Sequence, residues 1–356
     1  MVKSIFFLIA ISVAADLCAK EERVPSVYDE AKGKWIGDVS ALVEKLGNSA
    51  NGDVIYLGKG EYDLTGVLME NDETKFGKSH LRIQPGVKLL AEDEDRNGTL
   101  LVGNGTARIL RAVPPDYKTT YVPATIRGLT ITNGFAKTFS GAAESKHGGG
   151  IYGDATLTNC VVAKCTAEGN GGALCGYIKV HKCLVSNNTA SSSGGGTYKA
   201  TEIKNSEIIG NSSANNGGGI CAFTGKEQIF DSVVSGNYAA KNGGGISSYL
   251  VVSNCFVSLN TAENSGGGID NPVHSQVKYV YDSDVCSNKA VTASCGVVSY
   301  YTVYRGSIFA NYAQEYAGAY NCMLHQVTVH NNYSCTYGGG VVSSSAFGCI
   351  ERDKTI

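Results

Sequence analysis

The sequence predicts an all-β fold: a right-handed, single-stranded parallel β-helix with about 23 residues per coil and a short N-terminal capping helix. Three observations lead to this fold. A glycine-rich triplet recurs at a nearly constant interval, an asparagine recurs six residues before most triplets, and an aliphatic residue recurs three residues before that position. A fixed period of roughly 20–50 residues is typical of solenoids. No coil contains an apolar stripe with a period of about 3.6 residues, which excludes an α-helical solenoid.

Residues 1–19 have the pattern of an export signal. Lys3 supplies the positive start, and residues 5–15 form an apolar stretch that is too short to span a bilayer. Cleavage after Ala19 is plausible, with cleavage after Ala15 as the alternative. We therefore expect an exported protein, either extracellular or held at the cell surface (the outer membrane).

Residues 20–53 are predicted to cap the solenoid, since an uncovered end exposes a templating strand edge. Asp38 can N-cap a helix whose apolar face carries Val39, Leu42, Val43 and Leu46. Residues 54–133 are predicted to form irregular first coils, and residues 134–356 the regular repeats.

The regular part is defined by its columns of equivalent residues. The clearest triplets begin at Gly148, Gly171, Gly194, Gly217, Gly243, Gly266 and Gly338. The asparagine column comprises Asn188, Asn211, Asn237, Asn260, Asn288, Asn311 and Asn332, with Cys165 at the equivalent position of the first coil. Stacked coils place identical residues over one another about 4.8 Å apart. We expect the asparagines to point inward and to form a ladder of amide hydrogen bonds.

Corners are predicted from residues that tolerate a left-handed backbone. The position six residues before each asparagine-column residue often holds Asn or Asp, which adopt that conformation readily. With the triplet and the asparagine column as two further corners, the pattern predicts three short strands per coil and a roughly triangular cross-section. Residues 347–353 look like the start of another coil, so we expect the sequence to be cut off mid-coil.

The paired motif of Val or Ile, two variable residues and Asn, followed by Gly-Gly-Gly-Ile, resembles the repeats of polymorphic outer-membrane proteins. Residues 234–246 and 257–269 are good local matches. Residues 52–62 and 126–133 resemble the wider pectate-lyase-like β-helix superfamily. The resemblance implies surface display and adhesion. This sequence has Val or Ile where those repeats have Phe, and it lacks their C-terminal barrel, so membrane association would need a missing C-terminal anchor.

The catalytic alternative rests on Asp231, Asp282 and Arg305, which share the corner column. The two aspartates are two coils apart, roughly 9.6 Å at the parallel-strand spacing. That is too far to share one Ca²⁺, whose ligands lie at about 2.3–2.6 Å. It is at the outer limit of the roughly 6.5–9.5 Å that separates the carboxyls of an inverting hydrolase. Their role as corner formers is the simpler interpretation.

Two insertions are candidate binding loops. One contains Asp270, His274, Lys278 and Tyr279, and the other spans residues 135–147 and ends in Lys146 and His147. Loops that project from a solenoid often carry binding residues. A solvated loop without a ligand is the more ordinary interpretation of both.

The cysteines do not indicate a metal site. Cys160 and Cys183 would lie in adjacent coils, where either a disulfide or two reduced, buried thiols is compatible with the spacing. No paired Cys-x-x-Cys motif indicates zinc, and we expect neither a metal nor a cofactor.

The net charge of −2 gives no electrostatic reason to expect nucleic acid. We therefore expect a secreted or surface-displayed, non-catalytic β-helix protein with adhesin-like binding. Its partner would be a host or matrix surface component or a polysaccharide. The alternative is a pectate-lyase-like polysaccharide lyase or glycoside hydrolase.

Overall fold

The computed structural model describes residues 19–68, 76–112, 121–139, 142–272, 277–292 and 297–352. In this part of the chain nearly every strand pairs in parallel with its equivalent one coil away, for example Ala155–Thr158 with Lys179–His181. This pairing confirms the predicted single-stranded parallel β-helix. The proposed export signal lies outside the described residues, except for Ala19. No described helix is long and apolar enough to cross a membrane.

The largest sheet carries two columns of strands, before and after one corner of the coil. The column before the corner is formed by Glu21–Val24, Val54–Leu57, Lys88–Ala91, Ala124–Arg127, Ala155–Thr158, Lys179–His181, Glu202–Lys204, Gln228–Phe230, Val251–Ser253, Met323–His325 and Ser345–Phe347. The column after it is formed by Gly60–Asp63, Thr99–Val102, Thr130–Thr132, Val161–Ala163, Leu184–Ser186, Glu207–Ile209, Val233–Ser235, Phe256–Ser258, Thr328–His330 and Ile350–Arg352. Tyr279–Cys286 and Thr302–Phe309 run through both columns.

Two further sheets complete each coil. Short strands that follow the asparagine column form one sheet, which comprises Phe135–Ala136, Thr166–Ala167, Thr189–Ala190, Ser212–Ser213, Tyr238–Ala239, Thr261–Ala262, Lys289–Ala290, Tyr312–Ala313 and Tyr333–Ser334. Strands that follow the triplet form the other, here called the triplet sheet: Ser79–Arg82, Arg108–Ala112, Ile151–Gly153, Leu174–Cys175, Thr197–Tyr198, Ile220–Cys221, Ile246–Ser247, Ile269–Asp270, Val298–Ser299, Ala319–Tyr320 and Val341–Val342. Most regular coils therefore have four strand segments, one more than predicted, because the first corner splits a strand in two.

The N-terminal end is closed by a helix and a hairpin. Helix α1 spans Val39–Asn48, and the Asp38 carboxylate accepts a hydrogen bond from the N–H of Ala41 at 2.9 Å. Leu42 and Leu46 on its apolar face are buried in the core. The hairpin pairs Ser26–Asp29 with Lys34–Gly37 in antiparallel orientation. The helix covers the first coil, as the amphipathic pattern predicts, and the hairpin is an addition that the sequence analysis did not predict.

The first corner consists of residues with positive φ at equivalent positions of successive coils. Its φ angles lie between 48° and 57° at Asn159, Lys182, Asn205, Asp231, Asn254, Asp282 and Arg305. The glycine triplet forms another corner, where close packing leaves no room for a side chain at the middle position. A Cβ on Gly244 would lie 2.5 Å from the carbonyl oxygen of Thr261 in the next coil.

The asparagine column forms a continuous ladder inside the solenoid. The Asn237 side-chain amide donates to Asn260 Oδ1 at 2.9 Å, and the backbone N–H of Asn237 donates to the same oxygen at 2.9 Å. A second amide hydrogen of Asn237 reaches the carbonyl oxygen of Ile208. The same pattern joins every adjacent pair from Asn188 to Asn332, and all seven side chains are buried. Each buried polar group of this corner therefore has a partner.

Candidate functional site

A cleft of about 570 Å³ opens on the outer side of the triplet sheet. It is called here the aromatic cleft, because aromatic rings form much of its wall. Those rings belong to Tyr121, Tyr152, Tyr177, Tyr198 and Phe223. Its polar lining includes two carboxyl groups, a histidine and a lysine. A cleft of this size, with apolar rings and a few polar groups, is typical of small-molecule sites.

The repeat itself places the cleft-lining residues. On the triplet sheet, the residue after each inward aliphatic side chain points outward, because side chains alternate along a strand. Tyr152, Cys175 and Tyr198 occupy this outward position in three successive coils and are paired in register. Chain segments that leave these strands add the remaining residues of the cleft, including Tyr177 and Phe223.

Arg108 fixes the loop at one end of the aromatic cleft. Its side chain is fully buried, and its guanidinium lies 4.8 Å from the centroid of the Tyr152 ring. It donates hydrogen bonds to the backbone carbonyls of Phe76, Glu144, Ser145, His147 and Gly148. Burial lowers the pKa of Arg108 to about 10, so the group stays charged at neutral pH. The loop that carries Glu144 and His147 is therefore held by one buried cation.

His147 is a neutral hydrogen-bond donor in the cleft wall. Its Nδ1 accepts the backbone N–H of Asn170 at 2.9 Å, and its ring stacks on Tyr152 with centroids 6.5 Å apart. A backbone N–H can only donate, so Nδ1 carries no proton and Nε2 holds the proton of the neutral ring. Burial lowers the pKa of His147 to about 4, which keeps the ring uncharged at neutral pH.

Two carboxyl groups lie at the same end of the cleft. Asp154 accepts hydrogen bonds from the Tyr121 hydroxyl and from the backbone N–H of Tyr177, the latter at 3.3 Å. Burial raises the pKa of Asp154 above its usual range. Glu144 accepts the Tyr152 hydroxyl proton at 2.6 Å. These groups can accept further hydrogen bonds from a ligand rich in hydroxyls.

The other end of the cleft carries a cation and exposed rings. Lys199 Nζ lies 4.0 Å from the centroid of Phe223 and 5.7 Å from that of Tyr198. Phe223 is 62% exposed and Tyr177 is 52% exposed, so neither ring belongs to the core. Among the described residues no carboxylate forms an ion pair with Lys199. The ammonium group therefore faces the cleft with donor capacity to spare.

Asp231, Asp282 and Arg305 lie outside the aromatic cleft, along the first corner of the coil. The Asn254 amide donates to Asp231 at 2.8 Å, and Arg305 forms a two-point ion pair with Asp282, with Nη2 to Oδ2 at 2.7 Å. This pairing lowers the pKa of Asp282, the reverse of what a general acid needs. All three have the φ of a corner residue. The geometry supports a structural role for them.

Two residues of the predicted binding loop, Asp270 and Lys278, are buried instead of exposed. Asp270 is 1% exposed and accepts the Ser265 hydroxyl proton at 2.6 Å. Lys278 is 2% exposed and donates to the Ser248 carbonyl oxygen at 2.6 Å. Both groups are satisfied inside the protein, because the chain on either side of the insertion packs against neighbouring coils. They do not form the exposed surface that the spacing predicts.

The remaining residues predicted for that loop are Tyr279 and His274. Tyr279 begins the strand Tyr279–Cys286 and stacks on Tyr281, with ring centroids 5.8 Å apart. His274 lies outside the described residues.

A second polar ladder runs along the triplet corner, and the sequence interpretation missed it. The residue immediately before each triplet accepts a backbone N–H from its equivalent in the next coil. The ladder begins at His147 and continues through Asn170, Ser193, Asn216, Asn242 and Ser265. The signal was readable, since a polar residue stands before each of these triplets.

The cysteines of the described residues are not bridged. The backbone N–H of Cys160 donates to Cys183 Sγ at 3.4 Å, and both thiols are free and buried. Within the described residues no three His, Cys, Asp or Glu side chains are arranged to hold a metal ion.

No model of a known protein family matches this sequence. The search of curated proteins also finds no match. Two solved structures are similar to the chain. The A-module of the mannuronan C-5 epimerase AlgE6 from Azotobacter vinelandii is 13% identical, with a TM-score of 0.43 over 89% of this chain and 95% of that one. ORF18 of Geobacillus virus E2 is 11% identical, with a TM-score of 0.33 over 91% of this chain and 68% of that one.

Proposed function

We propose that the protein is an exported, non-catalytic β-helix protein that binds carbohydrate in the aromatic cleft. The observation that carries this proposal is the combination of exposed rings with buried hydrogen-bonding groups in one concave site. Tyr177 and Phe223 present apolar surface to solvent, while Asp154, Glu144 and His147 supply acceptors and a donor. A sugar presents apolar C–H faces between its hydroxyl groups, so this lining complements it.

The surroundings of the cleft support recognition rather than simple packing. Tyr152 is buried against Arg108 and His147 and serves as the rigid floor. Rings placed only for stability would be covered in the same way, yet Tyr177 and Phe223 remain mostly exposed. An exposed aromatic side chain beside preorganised polar groups favours binding of a partner.

The setting of this binding is a further part of the proposal. Export by residues 1–19 would bring the cleft to the outside of the cell or to the outer-membrane surface. There an adhesin-like protein would meet host, matrix or environmental polysaccharide.

One observation favours the catalytic alternative, a polysaccharide lyase or glycoside hydrolase. Asp154 combines a raised pKa with a place in an open cleft, and carboxyl groups that are tuned in this way often transfer protons. This candidate uses Asp154 in place of the corner residues Asp231, Asp282 and Arg305. If the protein is a hydrolase or a lyase, incubation with its glycan should produce new reducing ends or unsaturated ends, respectively. The Asp154→Asn variant should not produce these ends.

Calorimetric titration of the purified protein with a panel of neutral and acidic oligosaccharides tests the binding function. We expect at least one glycan to bind, and Tyr177→Ala and Phe223→Ala each to weaken that binding about tenfold or more. Phe256→Ala removes a ring that is 44% exposed outside the cleft and should leave affinity unchanged. Equal affinity of all three variants and the wild-type protein would place any glycan site elsewhere.

A further inference from the structure

The loop that carries Phe223 is an insertion in the regular coil. Six residues, 222–227, connect the strand of the triplet sheet to the next strand of this coil. In the coils before and after, the same connection is made by three residues, 199–201 and 248–250. Phe223 lies in the longer connection, lines the aromatic cleft and is 62% exposed. The insertion therefore adds an aromatic wall that the repeat alone does not provide.

The carboxylate of Glu227 holds this loop together. Oε1 accepts the backbone N–H groups of Phe223 at 2.8 Å and of Thr224 at 2.7 Å, and Oε2 accepts the backbone N–H of Lys226 at 2.8 Å. Gly225 lies within the turn and has a φ of 68°, a backbone conformation that favours glycine. Glu227 is only 1% exposed, so these hydrogen bonds are shielded from water. Hydrogen bonds to a charged acceptor are stronger than those to a neutral one.

The carboxyl group of Glu227 is ionised despite its burial. Burial favours the neutral acid and works to raise the pKa of Glu227, but the backbone N–H groups outweigh it and hold the pKa below its usual range. The carboxylate is therefore charged at neutral pH. A buried carboxylate without donors would be strongly disfavoured, so the acid and the closed loop stabilise each other.

The closed loop determines where the Phe223 ring lies. Lys199 Nζ is 4.0 Å from the centroid of this ring, and the centroid of the Tyr198 ring is 5.9 Å away. Most of the Phe223 ring is exposed, so its position depends on the backbone that carries it more than on packing. When only a fraction of the molecules has the binding-competent arrangement, the apparent affinity falls by that fraction. A loosened loop would therefore weaken any ligand that contacts Phe223.

We propose that Glu227 is a positioning residue for glycan binding, whose carboxylate holds residues 222–227 in the arrangement that places the Phe223 ring against the bound sugar. This proposal rests on the proposed carbohydrate-binding function and adds a residue that acts without touching the ligand. Glu227 is not among the residues that line the aromatic cleft. It acts through Phe223, as the buried acceptor of the N–H groups of the loop.

Amide hydrogen exchange, followed by NMR, tests the positioning itself and needs no ligand. In the wild-type protein the N–H groups of Phe223, Thr224 and Lys226 should exchange at least about tenfold more slowly than in an unstructured peptide. In Glu227→Gln the side-chain oxygen still accepts from Phe223 and Thr224, but an NH₂ group faces Lys226. Protection should therefore be lost at Lys226 and kept in part at the other two. Exchange of all three wild-type groups at the peptide rate overturns the proposal.

Calorimetric titration with the glycan that binds most tightly in the panel tests the effect on affinity. Glu227→Ala should weaken binding about 5- to 10-fold, no more than Phe223→Ala does, and Glu227→Gln should weaken it less. In the Phe223→Ala background, Glu227→Ala should change the affinity less than about twofold, because the ring that it positions is absent. The matched control is Asp53→Ala, which removes a buried carboxylate that accepts the backbone N–H groups of Lys20 and Ala50 at the N-terminal cap. That control should bind like the wild-type protein.

The outcomes separate this inference from the function on which it rests. Weaker binding by Phe223→Ala but unchanged binding by Glu227→Ala overturns the positioning role and leaves the carbohydrate-binding function intact. A loss from Glu227→Ala that adds in full to the loss from Phe223→Ala shows a general effect on the fold and also overturns the positioning role. If Glu227→Ala does not fold, the same double-mutant comparison with Glu227→Gln decides. Failure of every glycan in the panel to bind overturns both proposals.

Discussion

The guanidinium of Arg108 holds the backbone of His147 in place, with Nη2 only 2.6 Å from the His147 carbonyl oxygen. Arg108 belongs to the strand Arg108–Ala112, one coil before the triplet strand Ile151–Gly153. This contact joins an irregular early coil to the loop that lines the aromatic cleft. The cleft therefore depends on a buried cation that touches no part of its open space.

Arg108→Met should destabilise the protein and reshape the cleft. The substitution keeps a long apolar side chain but leaves several backbone carbonyls buried without a donor, which should lower the free energy of unfolding by about 3 kcal/mol or more. Urea denaturation measures this change. Arg23→Met is the matched control, because Arg23 forms a surface ion pair with Glu92 and should cost less than about 1 kcal/mol. A similar loss of unfolding free energy in both variants would show that the buried Arg108 stabilises the protein no more than an exposed arginine does.

Asn237→Ala should cost at least about 3 kcal/mol of unfolding free energy. The truncation removes the oxygen that accepts both the backbone N–H and one side-chain N–H of Asn211, and the amide that donates to the Ile208 carbonyl oxygen. Asn264→Ala provides the control, since Asn264 is exposed and its change should stay within about 0.5 kcal/mol. Guanidinium denaturation of both variants compares them directly. If Asn237→Ala were as mild as the control, the ladder would not stabilise the solenoid.

Gly244→Ala and Gly47→Ala should change stability in opposite directions. A Cβ on Gly244 would overlap backbone of the next coil, which should cost about 3 kcal/mol. A Cβ on Gly47, within helix α1, meets nothing within 4 Å and should raise stability by up to about 1 kcal/mol, because alanine favours the helix. Thermal unfolding reports both shifts. A tolerated alanine at Gly244 would contradict the close packing of coils at this corner.

The pH dependence of stability should carry a contribution from His147. Its pKa is about 4 in the folded protein and near 6.5 in an unfolded chain, so the unfolded state binds more protons between these values. Stability should therefore fall as the pH drops from about 6.5 towards 4, by at most about 3 kcal/mol. Above about pH 6.5 both states are neutral and the contribution vanishes.

A variant isolates this contribution. His147→Gln retains an oxygen acceptor for the Asn170 N–H but has no titrating group, and Asp154 titrates in both proteins. The difference in unfolding free energy between the wild-type protein and His147→Gln should change with pH only below about 6.5. A difference that stays constant from about pH 7.5 to pH 4 would show that His147 is not desolvated.

The β-helix could be predicted because its signals repeat. Stacked coils place Asn211 directly beside Asn188 and Asn237. Each of these coils therefore needs an asparagine at the same buried position, and the residue recurs in the sequence at a regular interval. The glycine corner is repeated for the same reason, since Gly244 packs against Gly267 and Thr261 of the next coil. A periodic physical requirement leaves a periodic pattern.

The aromatic cleft does not repeat, so the sequence held no comparable signal for it. The outward column of the triplet sheet alternates between tyrosine and cysteine from Tyr152 to Cys221 and then changes to Ser247 and Asp270, so no single residue type repeats along it. The insertion that ends in His147 was recognisable as a candidate loop. Its closure by Arg108, however, is a contact between residues 39 positions apart in an irregular region. Only the folded chain brings them together.

The burial of Asp270 and Lys278 also could not be predicted from the sequence. Their insertion breaks the coil period, so the number of residues does not tell which side chains face solvent. In the structure Asp270 is paired in register with Ser247 and Ser299 of the adjacent coils and hydrogen-bonded to Ser265. Its neighbours in space, not in sequence, determine its environment.

The most direct test of the account is a crystal structure of the protein with the oligosaccharide that binds most tightly in the calorimetric panel. We predict a sugar bound within the aromatic cleft, with an apolar face of its ring against Phe223 or Tyr177. A chain bound across the corner at Asp282 and Arg305, or an empty cleft beside a glycan bound elsewhere, would contradict it.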